Sequence, residues 1–184
     1  MNSEAATPEQ LNQEAAQAYQ RGDYLEAARL YEAAANGLGA AGNETQRGEA
    51  LNNSSVAYLQ AGEAQRAFDI VQETPDLFTR LGDIRRQGMA LGNLAAALEG
   101  LGRLDEAMQA YERSGDLLKQ AGEKEYRAHV MKSLSALQLK RGRQYEALAS
   151  MQAGLEGLER PSFKQRLLKR LLRIPFDFLG RKGS

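Results

Sequence analysis

Cysteine is absent from this chain of 184 residues, which excludes disulfides, thiolate metal sites and cysteine nucleophiles. The same absence fits a reducing compartment. Tryptophan is also missing, and aromatic residues make up 7% of the chain. There is one histidine, His129, with no cysteine and no triad partner in view, so it reads as a surface or groove residue rather than a catalyst. Carboxylates such as Glu123 and Glu125 read as solvated charges at a helix start, where the dipole favours them. No run approaches the roughly 20 apolar residues that span a bilayer. Residues 1–5 lack a basic region followed by an apolar run, so no secretory leader is expected. No segment reads as a strand. The glycine-rich run at 37–42, which superficially matches a dinucleotide fingerprint, therefore lacks the strand such a loop follows. The expectation is a protein that is not an enzyme and needs no cofactor or metal.

What is present is a glycine hinge repeated at a constant interval. Gly22, Gly62, Gly102 and Gly142 are each followed five residues later by alanine, at Ala27, Ala67, Ala107 and Ala147, and successive copies are 40 residues apart. A second series, Gly42, Gly82 and Gly122, keeps the same step. Glycine stops a helix because it takes the left-handed conformation at little cost. Between hinges the apolar positions stay in register: Leu11, Leu51, Leu91 and Met131; Ala16, Val56, Ala96 and Ala136; Leu38, Phe78 and Leu118. This spacing is helical. The chain thus reads as stacked pairs of helices of about 18 residues, each pair too thin to bury its own apolar stripe. Thr7-Pro8-Glu9-Gln10 reads as a capping box with proline in the first turn, and Asp23, with Glu26 three residues on, as the cap of the second helix. Pro75 is expected to kink the second helix of the second pair. Gly37 and Gly39 are expected to loosen the second helix of the first pair, as drift at tolerant surface positions.

The hinge residues resemble the tetratricopeptide repeat (TPR) family. Gly22, Tyr24, Ala27 and Tyr31 match its turn in full. Gly102, Ala107 and Tyr111 match with Leu104 in place of the first aromatic, and the small position of the first helix is Ala15, Ser55, Ala95 and Ser135. The period of 40 is longer than the usual repeat of about 34, so the likeness is to a long-helix variant. It implies an all-α solenoid of four TPR-like helix pairs over 7–160, with repeats at about 7–42, 43–82, 83–122 and 123–160. It also implies a protein–protein interaction scaffold whose first helices line a concave, peptide-holding groove. Mapped by register, the implied groove positions are Glu9, Glu49, Met89 and His129, then Asn12, Asn52, Gly92 and Lys132, then Gln13, Asn53, Asn93 and Ser133. The basic clamp that grips acidic C-termini in chaperone co-factors is not matched, because these places hold mainly asparagine. An asparagine amide both donates and accepts, as a peptide backbone does, so Asn53 and Asn93 suggest a ladder for an extended segment. The other reading is that these asparagines bond neighbouring helices or water.

Net charge is zero, yet unevenly spread. Residues 161–184 hold seven basic side chains against Asp177 alone, a net of +6, which leaves the first 160 residues at −6. Glu159-Arg160-Pro161 should break the last regular helix, and Ser162-Phe163-Lys164-Gln165 opens a new one. At about 100° per residue, Phe163, Leu167, Leu168, Leu171, Leu172 and Ile174 share one half of it. Arg166, Lys169, Arg170 and Arg173 share the other, and Lys164 sits on the apolar side. Pro175 ends it, before Phe176, Phe178 and Leu179. Three roles fit this C-terminal basic amphipathic helix: a cap on the last repeat, a docking element for an anionic membrane surface, or a contact with a partner protein or with another copy in a homo-oligomer. Nucleic acid is disfavoured, because the body is acidic and no aromatics interleave with the basic residues of the tail. The expected location is cytoplasmic, with the tail as a peripheral membrane attachment in the second of these readings.

Overall fold

Each glycine of the two hinge series sits at φ between 70° and 85°, where residues with a Cβ are strained. The residue after it returns its N–H to the carbonyl five residues back: Asp23 to Ala18, Asn43 to Leu38, Glu63 to Tyr58, Asp83 to Phe78, Arg103 to Leu98, Glu123 to Leu118 and Arg143 to Gln138, all at 2.9 Å. This closure satisfies carbonyls that a helix end leaves open, and it sets an antiparallel partner directly after each helix. The computed structural model describes residues 6–156 together with Leu158 and Arg166. Among them the first pair is α1 (Pro8–Arg21) and α2 (Tyr24–Ala40). The second is α3 (Glu44–Gln60) with α4 (Ala64–Val71) and α5 (Thr74–Arg80). The third is α6 (Ile84–Gly100) and α7 (Leu104–Gln120), and the fourth α8 (Lys124–Lys140) and α9 (Gln144–Leu155). No strand occurs among the described residues. The architecture is an all-helical solenoid.

Burial follows the repeat. One cluster joins Ala15, Ala27, Tyr31, Tyr58 and Val71 across the first two pairs, and another joins Leu98, Met108, Tyr111, Leu118, Leu134 and Leu137 across the last two. Small residues let the helices approach. A Cβ on Gly48 would lie 2.6 Å from Phe78 Cζ, and one on Gly88 would lie 3.0 Å from Leu118 Cγ, so each glycine is the socket for the large side chain of its own pair. Buried serines tie helix to helix: Ser54 Oγ donates to Ala28 O (3.0 Å), Ser114 Oγ to Gly88 O (2.6 Å) and Ser135 Oγ to Ala147 O (2.7 Å).

The capping box forms, with Gln10 N donating to Thr7 Oγ1 (3.2 Å) and Thr7 N to Gln10 Oε1 (2.8 Å). Four expectations need correction. Asp23 holds the N-cap position of α2 without a side-chain cap, because its carboxylate takes Arg21 Nε at 3.1 Å instead. Gly37 and Gly39 do not break α2, and Gly37 is not on a tolerant surface: a Cβ on Gly37 would meet Pro8 Cγ at 2.6 Å, whereas one on Gly39 would meet only the flexible side chain of Arg47, Cδ at 2.9 Å. Pro75 does more than kink its helix; the helix divides, and α5 starts afresh at Thr74. Finally, α9 ends at Leu155 with Glu156 extended, rather than running on to the break at 159–161. In register with Gly48 and Gly88 the fourth pair has Ala128, which carries a Cβ. Close approach passes to Gly154 instead, where a Cβ would lie 2.9 Å from Met131 Cβ.

Candidate functional site

Residues 86, 89 and 93 follow the i, i+3, i+7 spacing of one helix face, and on α6 they are Arg86, Met89 and Asn93. This face turns toward α3, with which α6 packs directly. Glu49, Asn52 and Asn53 of α3 and Arg85, Arg86, Met89 and Asn93 of α6 line one cavity of about 190 Å³. Four sequence-selected residues, Asn52, Asn53, Met89 and Asn93, thus meet at a single place.

Its charges are internally paired. Arg86 Nε lies 2.6 Å from Glu49 Oε1 and its guanidinium 2.5 Å from Asp83 Oδ2, while Arg85 Nε reaches Glu123 Oε1 at 2.5 Å. Asp83 Oδ1 also accepts from Arg86 N (2.8 Å), which caps α6. Burial pulls the Asp83 carboxyl upward, but the backbone N–H and guanidinium of Arg86 outweigh it and hold this carboxyl below the usual range. The amides of Asn53, which is exposed, and Asn93, which is half-buried, are different: they make no hydrogen bond among the described residues. The cavity therefore presents two unengaged amides and a thioether over a floor of satisfied ion pairs. Such a surface can exchange hydrogen bonds with a backbone and cover an apolar side chain, but it carries no activated nucleophile or base.

The other selected residues lie elsewhere. Asn52 borders the cavity but is only 8% exposed, and its Oδ1 is 3.0 Å from Thr74 Oγ1, so its side chain serves the start of α5. In the same register, a Cβ on Gly92 would lie 3.2 Å from Val130 Cγ2 and 3.3 Å from Ser114 Oγ; in the middle pairs this row packs between helices. Asn12 is half-buried on α1, and His129 and Lys132 are exposed on α8, away from the cavity. Phe163, Lys164, Leu167, Lys169, Arg170, Leu171, Arg173, Phe176 and Phe178 lie outside the described residues; Arg166 is helical and exposed. Sequence reasoning missed Arg85 and Arg86. Their signal was available, since Arg86 lies one turn before Met89 on the same face.

Among the described residues no group of three His, Asp or Glu side chains could hold a metal ion. No described helix is long and apolar enough to cross a membrane. Burial pushes the Tyr111 phenol well above its ordinary range, with the nearby Glu99 charge adding to the effect, so Tyr111 stays neutral in the core.

The family model for the soluble NSF attachment protein, SNAP, matches residues 2–172. The match lies among the helical TPR-like solenoids rather than in the TPR family itself, so the resemblance seen in the hinges holds at the level of the shared architecture. No curated protein matches the chain.

Proposed function

Because this chain belongs to the soluble NSF attachment protein family, whose members are non-catalytic helical adaptors that bind protein partners, we propose that it holds a segment of a partner protein against the first helices of its pairs. Asn53 and Asn93 meet the backbone of that segment, and Met89 covers one of its apolar side chains. The observation that carries this reading is the convergence of two unengaged asparagine amides, one from each of two neighbouring first helices, on one cavity. The family takes its name from the attachment of a protein, NSF, which sets the class of partner as protein.

An array of unrelated 12-residue peptides, probed with the native chain and with an Asn53→Ala/Asn93→Ala variant, tests it. Two lost hydrogen bonds of about 0.5–1.5 kcal/mol each predict binding weaker by roughly tenfold. Because backbone is what the amides read, the loss should be similar across peptides of different side chains. Equal binding by variant and native chain, with unchanged helical circular dichroism, would refute this use of the groove.

A further inference from the structure

Asn53 and Asn93 hold the same place in consecutive repeats, so the distance between them is set by the distance between α3 and α6. Both are first helices, run in the same direction and pack directly on each other. Helices in such contact have axes about 8–10 Å apart. The two amides line one cavity and have no partner among the described residues. Two donors at this spacing need two acceptors that recur at the same interval.

Backbones differ in the interval at which they offer a carbonyl. Along one edge of a strand a carbonyl recurs every second residue, about 6.6–6.8 Å apart, so one step falls short of the second amide and two steps overshoot it. In an α-helix the carbonyls are taken by the helix's own N–H groups. In a polyproline II segment three residues make one turn, each rising about 3.1 Å. Carbonyls at i and i+3 then point the same way about 9.3 Å apart, and no internal hydrogen bond uses them. Of the three regular backbones, only this one fits the pair of amides.

The rest of the lining agrees. Arg86 is paired with Glu49 and Asp83, and Arg85 with Glu123, so the cavity favours an uncharged segment. Met89 lies one turn before Asn93 and is half-buried, and its thioether offers a soft apolar surface to a proline ring. Proline also fixes the φ of this conformation before binding, so little freedom is lost on docking. We propose that the groove takes an uncharged, proline-rich segment in the polyproline II conformation, an inference that rests on the groove being a site for a partner's segment. Carbonyls three residues apart accept from the Asn53 and Asn93 amides, and a proline ring lies on Met89.

Three fluorescein-labelled decamers, titrated into the full native chain and followed by anisotropy, test it. They are decaproline, alternating Thr-Gln and alternating Gly-Ser. Within decaproline no residue after the first has a backbone N–H, so its backbone there can only accept. It should bind about tenfold more tightly than either of the others. The Asn53→Ala/Asn93→Ala variant should lose roughly tenfold on decaproline, as expected for two lost hydrogen bonds. In a nitrogen-15-labelled native chain the side-chain amide signals of Asn53 and Asn93 should move together as decaproline is added. Movement of one alone would overturn the three-residue spacing and the proposal with it. Equal or tighter binding of the Thr-Gln or Gly-Ser decamer, weakened in the variant, would overturn the proposal and leave the groove a peptide site. No binding of any decamer, or binding that the variant keeps in full, would remove the groove reading as well. The ranking of decamers on the native chain stands whether or not the variant folds.

Discussion

The second and third pairs start from the same hinges and bury the same kind of side chain in the same socket, yet one has a divided second helix and the other a continuous one. Pro75 and Gly115 occupy equivalent positions, as do Thr74 and Ser114. In the second pair Pro75 brings no N–H to the carbonyl of Val71, four residues back, and the helix stops there. The hydroxyl of Thr74 takes over: its one proton is shared between Val71 O at 2.9 Å and Asn52 Oδ1 at 3.0 Å. In the third pair the helix ladder needs no such help, and the hydroxyl of Ser114 reaches across to Gly88 O. The difference shows that a repeat tolerates a lost backbone bond in its second helix when a side chain replaces it, provided the socket residue still arrives in place. Phe78 does arrive, fully buried, seven residues after the division.

The strongest way to break this equivalence is to empty the sockets. Phe78→Ala should cost about 3–5 kcal/mol and Leu118→Ala about 2–5 kcal/mol, read from the midpoints of urea unfolding. If the division had weakened the second pair's hold on its socket, Phe78→Ala would instead cost much less than Leu118→Ala.

Next in size is the hydroxyl at the division. Thr74→Val leaves a buried carbonyl and the buried Asn52 amide without their partner, and should cost about 1–3 kcal/mol. Ser114→Ala removes a bond to a carbonyl that the α6 ladder already engages, so about 1 kcal/mol is expected. Equal costs for the two, by the same unfolding measurement, would mean that Thr74 does not replace the missing backbone bond.

The smallest effect is electrostatic. Asp83 caps α6 and pairs with Arg86, whereas its equivalent Glu123 makes no side-chain cap on α8. With a folded-state pKa held down, Asp83 adds stability that is full above its unfolded value of about 4 and is lost as the pH falls through the depressed value. Asp83→Ala should therefore cost about 1 kcal/mol at neutral pH and progressively less in acid. Thermal melts at pH 7 and pH 3 check it, and an Asp83→Ala cost that is the same at both pH values would argue against the charged cap.

Part of the cavity lining was legible in the sequence. The TPR resemblance, mapped by register, selected Asn53, Met89 and Asn93, because a side chain's face on a helix follows from its spacing. The same mapping also selected Asn52, one position before Asn53, and here it met its limit. Adjacent residues differ by about 100° around the axis, so one can face the open cavity while the other faces the next helix. Which of the two does so depends on where α5 begins, and that is a matter of packing. Arg85 and Arg86 were passed over because a charged pair at a helix start reads as solvent-exposed until its partners, Glu49 from the preceding pair and Glu123 from the following one, are brought beside it.

Period, hinge positions and helical class were written in the chain itself, since glycine at a constant interval acts through its own backbone and needs no distant contact. The sequence likewise marked Pro75 as a point of weakness and the C-terminal segment as a separate, basic piece. Only the tertiary structure decided that Gly37, Gly48, Gly88 and Gly154 are close-contact residues, that Thr74 answers for Pro75, and that two asparagines share a cavity. Each of those facts joins residues from different helices. How near two helices lie is set by the side chains between them, which local spacing does not encode.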